Sequence, residues 1–120
     1  MNYMLTEREK LVQELARKVA EDKVRPVAQQ LDAEQTFPSF LFSELAQTEL
    51  CGVAIPEEYG GLGGNEMETI LVIEELSRAC AGIALAFAGT VLATYPILLY
   101  GSEEQKQEYL PKIASGKKIG

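Results

Sequence analysis

Residues 60–64, four glycines around one leucine, are the segment of this sequence most typical of a binding loop. A Walker-type phosphate loop would continue with lysine and then serine or threonine, and a dinucleotide-binding fingerprint would follow a strand and carry a third, spaced glycine. Here Glu66 and Glu68 follow at the start of the next helix, where two carboxylates would repel a phosphate. The glycine cluster is therefore predicted to be a turn.

Three pairs of adjacent glutamates, at 57–58, 74–75 and 103–104, are candidates for acid–base chemistry. Adjacent residues of a helix point apart, so each pair is better explained as surface charge. The sequence contains no histidine, which excludes a histidine-based triad, a histidine proton shuttle and a histidine-ligated metal site. We predict neither a catalytic residue nor a metal site in this chain.

Cys51 and Cys80 form neither a CxxC motif nor a disulfide framework. Both are predicted to be small buried hydrophobic residues in a reducing compartment, the cytoplasm.

The charge balance limits the partners of the chain. Its 11 basic and 18 acidic residues give a net charge of −7 and a pI near 4.6. This acidity disfavours nucleic acid and anionic membrane surfaces, which bind basic proteins. From Asp32 to Gln105 there are 12 acidic residues and a single basic one, Arg78. We interpret this region as a solvated acidic rim.

The periodicity is helical throughout and predicts an all-α bundle of five to six helices in a single domain over 1–120. Thr6 and Glu9 form a capping box at the start of a helix over 7–31. Pro26 should kink or divide this helix. Its apolar positions recur at helical spacing: Val12, Leu15, Val19, Val27 and Leu31.

A second helix opens at 36–39, with Phe40, Leu41, Leu45 and Ala46 expected to face inward. Residues 48–65 break the helical pattern and are predicted to be a loop with a short extended piece at 53–55. A third long helix covers 66–80. Its predicted core positions are Met67, Ile70, Leu71, Ile73 and Leu76.

The helix predicted over 82–99 is apolar on all sides, so we expect its neighbours to wrap it at the centre of the bundle. It is long enough to span a membrane, but it is rich in alanine and lacks a basic flank, which favours a core helix and no membrane span. Its small residues permit either close helix packing, which composition favours, or a slender apolar ligand. Ser102 and Gln105 cap a last helix over 103–114, which turns Leu110 and Ile113 to the core.

Four segments, at 55–63, 73–78, 100–106 and 109–117, resemble the N-terminal domain of acyl-CoA dehydrogenases in both order and spacing. The resemblance implies a larger enzyme with an added β-domain and C-terminal helical domain, assembled as a homotetramer. Such an enzyme uses FAD to oxidise an acyl-CoA thioester to trans-2-enoyl-CoA, and electron-transfer flavoprotein accepts the electrons. The sequence stops before the family's flavin-contacting Thr-Glu-Pro segment. We therefore expect a fragment that holds neither the catalytic glutamate nor FAD.

Two sets of positions carry over from the family. The first lines the far end of the acyl-chain cavity, so the resemblance shifts the interpretation of the small residues towards a ligand cavity. The second forms an apolar pocket for electron-transfer flavoprotein, and Val72 is expected to be exposed because it lies off the predicted core stripe. A non-catalytic helical interaction module that retains this docking surface is the alternative. The acyl-chain positions are Ala84, Leu85, Ala88 and Leu92, and the docking positions are Val12, Leu50, Leu62 and Val72.

Overall fold

The computed structural model describes residues 3–120, which form six α-helices and no strand, confirming the all-α prediction. Helices α1 and α2 are continuous through a π turn, and two short 3₁₀ turns lie in the loop between α3 and α4. In chain order the elements are α1 (Glu7–Val19), the π turn (Ala20–Val24), α2 (Arg25–Glu34), α3 (Ser39–Gln47), the 3₁₀ turns (Leu50–Gly52 and Glu57–Tyr59), α4 (Glu66–Ala79), α5 (Ala81–Tyr100) and α6 (Glu103–Ala114).

Helix α1 begins at the predicted capping box. The Glu9 N–H donates to Thr6 Oγ1 at 3.1 Å, and the Thr6 N–H donates to the Glu9 carboxylate at 2.8 Å. Pro26 divides the long helix as expected, because the π turn directly precedes α2, whose first residues include Pro26. Proline lacks an N–H and crowds the carbonyl four residues earlier, and a widened turn accommodates both effects.

Helix α4 holds α1 through two buried glutamates. The carboxylates of Glu68 and Glu75, both about 3% exposed, accept hydrogen bonds from Arg8 at 2.6 Å and from Arg17 at 2.9 and 3.1 Å. Arg78 adds a third donor to Glu75 at 3.0 Å. The hydrogen bonds from Arg17 hold the pKa of Glu75 below its usual value. The earlier arginine of α1 pairs with the earlier glutamate of α4, and the later with the later, so the two helices run in the same direction.

Helix α3 lies where the sequence predicted it, but one inward position is wrong. Leu41 and Leu45 are buried as expected, whereas Phe40 is exposed. Phe42 takes its place in the core and stacks on Phe37 at 5.8 Å between ring centroids. Stacking adds to the stabilisation that the Phe42 ring gains from burial. This explains why α3 turns Phe42, and not Phe40, towards the core.

The predicted extended piece at 53–55 is wrong. These residues form a turn and a bend rather than a strand, although Val53 and Ile55 are fully buried. Their side chains contribute to the core from a compact loop.

The buried face of α4 differs from the predicted one. Leu71 and Leu76 are buried, but Met67 and Ile70 are exposed. Val72, expected to be exposed, is fully buried in the main core. The inward face of α4 includes Glu68 and Glu75, which are buried because arginines pair with them.

Helix α5 is not wrapped by its neighbours, which corrects a second expectation. It packs on α4 and α6, burying Ile83, Phe87 and Val91 in the main core and placing Ile97 and Leu98 against the smaller cluster that includes residues of α6. Much of its remaining surface is exposed. The helix meets the length and hydropathy requirements of a membrane span, which for a single helix is weak evidence. The molecule measures 41 × 36 × 22 Å, and its thinnest dimension fits two layers of helices. Helix α6 buries Leu110 and Ile113 as predicted.

The burial of Glu75 predicts an acid-sensitive contribution to stability. Since its pKa is lowered in the folded state, this contribution is present above the unfolded pKa and is lost as the pH falls through the folded pKa. Glu75→Gln should lower the free energy of unfolding at neutral pH by about 3 kcal/mol and flatten the acid dependence. Thermal unfolding followed by circular dichroism from about pH 3 to pH 7 measures both effects. The exposed neighbour Glu74→Gln is the control, and equal effects of the two changes would contradict the prediction.

Candidate functional site

One side of α5 forms an uncovered apolar surface. The 20 residues of the helix include no charged side chain. Successive residues of a helix are rotated by about 100° around its axis. On α5 the exposed residues all fall within one arc of roughly 100° around that axis. Leu85, Leu92 and Leu99 are 72%, 66% and 69% exposed. We call this surface the open face of α5, consisting of Gly82, Leu85, Gly89, Leu92, Pro96 and Leu99.

The four positions predicted for the acyl chain divide between the core and the open face. Leu85 and Leu92 belong to the open face, and Ala88 is half-buried at its border. Ala84 is buried in the core and does not line the surface that the other three share. Sequence reasoning missed Leu99, although its spacing of seven residues from Leu92 repeats the spacing between Leu85 and Leu92.

Of the four positions predicted for docking, only two are accessible. Val12 and Leu62 are half-buried, whereas Leu50 and Val72 are fully buried. Arg8 connects the loop of Leu62 to α4. It donates a hydrogen bond to the backbone oxygen of Leu62 and pairs with the buried carboxylate of Glu68, one helical turn before Val72. Any pocket here can therefore expose only Val12 and Leu62 without a rearrangement of the core.

The glycine cluster is a turn, as predicted, and its backbone donors are already used. The N–H groups of Gly61, Leu62, Gly63 and Gly64 donate to backbone oxygens at 3.1, 2.8, 2.8 and 2.7 Å. A Cβ on Gly61 would stand 2.0 Å from the Ile55 oxygen, so the glycine allows the loop to fold onto itself. A phosphate cradle needs free N–H groups directed at a ligand, and these four are not free.

The prediction of surface charge is confirmed for the glutamate pairs at 57–58 and 103–104, which are exposed, but is wrong for one member of the pair at 74–75. Glu75 is buried between arginines, while its neighbour Glu74 is exposed. Tyr59 Oη donates to the Glu103 carboxylate at 2.9 and 3.0 Å, and burial together with this hydrogen bond raises the pKa of Tyr59. Among residues 3–120, no cluster of three or more potential metal ligands is present.

Both cysteines have free thiols. Burial raises the pKa of Cys51 to about 11, and its Sγ lies 3.9 Å from the Phe42 oxygen. Cys80, predicted to be buried, is only half-buried, because it lines an open cleft of about 450 Å³ between α2 and the start of α5. Sequence reasoning did not anticipate this cleft, because Leu31, Phe37 and Ile83 approach it from three separate segments.

The family model for "Acyl-CoA dehydrogenase, N-terminal domain" matches residues 6–117. The chain is 35% identical to acryloyl-CoA reductase (NADH) of Anaerotignum propionicum, covering 100% of this chain and 30% of that protein. It is 38% identical to the short-chain specific acyl-CoA dehydrogenase of Clostridium acetobutylicum, covering 100% of this chain and 32% of that protein. It thus spans about a third of the length of the relatives it matches.

Solved structures agree with these sequence matches. A chain in a structure described as the electron transferring flavoprotein of Acidaminococcus fermentans superposes with a TM-score of 0.94 at 35% identity, covering 100% of this chain and 32% of that chain. Butyryl-CoA dehydrogenase from Megasphaera elsdenii superposes with a TM-score of 0.92 at 32% identity, with the same coverage of 100% and 32%.

The packing of the glycine loop predicts a selective effect of Gly61→Ala. The added methyl group would collide with the Ile55 backbone, so we expect a loss of at least about 3 kcal/mol in the free energy of unfolding. Gly82→Ala is the control, because a Cβ there would meet only Cys80 Sγ, at 4.0 Å. Urea unfolding of both variants makes the measurement. An unchanged midpoint for Gly61→Ala would show that the loop is not packed as described.

Proposed function

Because the chain belongs to the acyl-CoA dehydrogenase family and corresponds to its N-terminal domain, we propose that it supplies one wall of the acyl-chain site in a flavin-dependent enzyme. The complete enzyme would oxidise an acyl-CoA thioester to trans-2-enoyl-CoA and pass the electrons to electron-transfer flavoprotein. The open face of α5 is the observation that carries this proposal.

The chemistry of the open face fits a hydrocarbon chain. The surface lacks charge, and Leu85 and Leu92 stand on either side of the small residues Ala88 and Gly89. Each methylene buried against such a wall contributes about 0.8 kcal/mol. The wall would therefore recognise the length and shape of the acyl chain, while the thioester and the CoA head group bind elsewhere.

We do not expect this chain alone to hold FAD. The backbone donors of the glycine loop, which would have to face the phosphates, are occupied. In the proposed enzyme FAD and the catalytic base lie outside the chain. We further propose that the complete enzyme is a homotetramer in the cytoplasm, where free thiols persist.

A protein-interaction module is the second candidate function. Val12 and Leu62 offer accessible apolar surface, and Arg8 holds the loop of Leu62 against the start of α4. These two residues would receive an apolar side chain of electron-transfer flavoprotein. This role requires no acyl-chain wall, so the two candidates are separable by experiment.

A chimera tests the acyl-chain wall. Residues 1–120 would replace the matching third of the short-chain specific acyl-CoA dehydrogenase of Clostridium acetobutylicum, to which they are 38% identical. In this chimera Ala88→Phe should obstruct the chain terminus and deny burial to two or three methylenes. The kcat/KM for the longest acyl-CoA accepted should then fall by about 15- to 60-fold, with little change for shorter ones.

The exposed alanine Ala33→Phe on α2 is the matched control. If Ala88 only packs against neighbouring helices, its replacement should cost about 1–3 kcal/mol of stability and reduce every chain length alike. That result would reject the wall. An inactive chimera that still binds electron-transfer flavoprotein would favour the interaction module.

The 120-residue chain alone should carry no flavin. Since the glycine loop offers no free donors, the purified protein should be colourless after expression with excess FAD. Absorbance near 450 nm that survives gel filtration would contradict this expectation.

A further inference from the structure

Helices α4 and α5 are joined by a single residue. Cys80 follows Ala79, the end of α4, and precedes Ala81, the start of α5, and its backbone is extended. Among the described residues, no side chain caps the start of α5. The direction in which α5 leaves this junction therefore depends on how the last turn of α4 is held in place.

The last turn of α4 receives a hydrogen bond from a distant segment of the chain. Arg25, the first residue of α2, donates from Nη2 to the backbone oxygen of Arg78 at 3.2 Å. The last four carbonyl groups of a helix have no partner within that helix, and a cationic side chain near them also interacts favourably with the helix dipole. Arg25 thus supplies a partner for one of these carbonyl groups, close to Cys80.

Glu21 in the π turn fixes the orientation of the Arg25 side chain. The Nε and Nη2 atoms of Arg25 donate to the two carboxylate oxygens of Glu21 at 2.7 and 2.9 Å. Two parallel hydrogen bonds of this kind restrict the plane of a guanidinium group. They also lower the pKa of Glu21, so its carboxylate is ionised at neutral pH. Because Nη2 takes part in both contacts, the pairing with Glu21 directs Arg25 at the end of α4.

The end of α4 is consequently held on two sides. The Glu75 carboxylate accepts hydrogen bonds from Arg17 of α1 at 2.9 and 3.1 Å, and the side chain of Arg78 donates to it at 3.0 Å. This contact is buried at Glu75, whereas the side chain of Arg25 is 51% exposed. The buried contact fixes α4 against α1, and the half-exposed one adjusts the last turn beside the junction.

We propose that Arg25 is a positioning residue for acyl-chain discrimination, an inference that rests on the proposed function. By holding the last turn of α4, it fixes the angle at which α5 leaves the junction. Leu85 and Ala88 follow Cys80 within the first turns of α5, about 8 and 12 Å along the helix. A change of this angle would therefore displace the first part of the acyl-chain wall.

Arg25→Met tests the hold on the junction in the 120-residue chain. Methionine keeps an unbranched side chain but donates no hydrogen bond. The N–H groups of Cys80 and Ala84 donate to the backbone oxygens of Leu76 and Cys80 at 2.9 and 3.1 Å, so their hydrogen exchange reports on both sides of the junction. Exchange of these two amides should be faster by about three- to tenfold, the equivalent of one hydrogen bond, while amides in the middle of α4 should be unaffected.

The same change in the chimera with the Clostridium acetobutylicum enzyme tests the effect on substrate choice. With the wall less firmly placed, the ratio of kcat/KM for the best substrate to that for the longest acyl-CoA accepted should fall by about three- to tenfold. The kcat for the best substrate should be unchanged, because Arg25 acts only through the wall. A loss of stability alone would reduce the activity towards every chain length alike.

Lys112→Met is the matched control for both experiments. Lys112 forms an ion pair with Glu108 on the same helix, α6, at 3.0 Å, and its side chain is 42% exposed, against 51% for Arg25. The control therefore removes a comparable ion pair from a helix that does not take part in the junction. Neither the exchange of the two amides nor the chain-length ratio should change, and circular dichroism verifies that both variants fold.

Unchanged exchange at Cys80 and Ala84 in Arg25→Met, or an equal change in Lys112→Met, would overturn the proposal whatever the acyl-chain wall does. Faster exchange with an unaltered chain-length ratio, in a chimera where Ala88→Phe is selective for length, would overturn the role of Arg25 in discrimination and leave the wall standing. An Ala88→Phe chimera that loses every chain length alike would reject the wall and this role with it, while the exchange result would still identify what holds the junction.

Discussion

The burial of two carboxylates on α4 is the constraint on which the arrangement of the helices depends. An ionised carboxylate with no partner is unstable in a protein interior, so Glu68 and Glu75 can be buried only where arginines reach them. Arg8 and Arg17 supply those partners from α1, one near each end of the shared interface. This fixes α1 along one side of α4 and leaves another side for α5. It also explains why basic residues near the start of the chain accompany an acidic middle, whose charge pattern alone indicates only a solvated rim.

Local signals predicted the helices well because they depend on neighbouring residues. The capping boxes at Thr6 and Ser102 and the division at Pro26 involve groups a few residues apart. The buried faces were less predictable. On α4 the apolar positions Met67 and Ile70 are exposed, while charged positions face inward with partners from about 60 residues away in the chain. No periodicity within α4 can report such a partner.

The site was partly predictable for a related reason. Helix α5 is apolar on every side, so its sequence does not indicate which arc packs on the domain. The resemblance identified Leu85, Ala88 and Leu92 near the open arc, but it also included Ala84, which the packing turns into the core. Among the docking positions, Val72 was expected to be exposed because the predicted core stripe of α4 is rotated around the helix axis relative to the face that is buried.

The glycines divide into two groups that clarify how the domain is used. At Gly61 and Gly64 a Cβ would lie 2.0 and 2.6 Å from backbone oxygens, so these glycines are required by contacts within the chain. At Gly82 and Gly89 an added methyl group would meet almost nothing. A glycine that lowers helix stability and relieves no internal clash leaves room for a group from outside to come close to the backbone. Close helix packing and a ligand cavity are the two interpretations left open by composition. Both require room for another group to approach the helix backbone closely, and α5 offers that room on the face that the domain leaves uncovered.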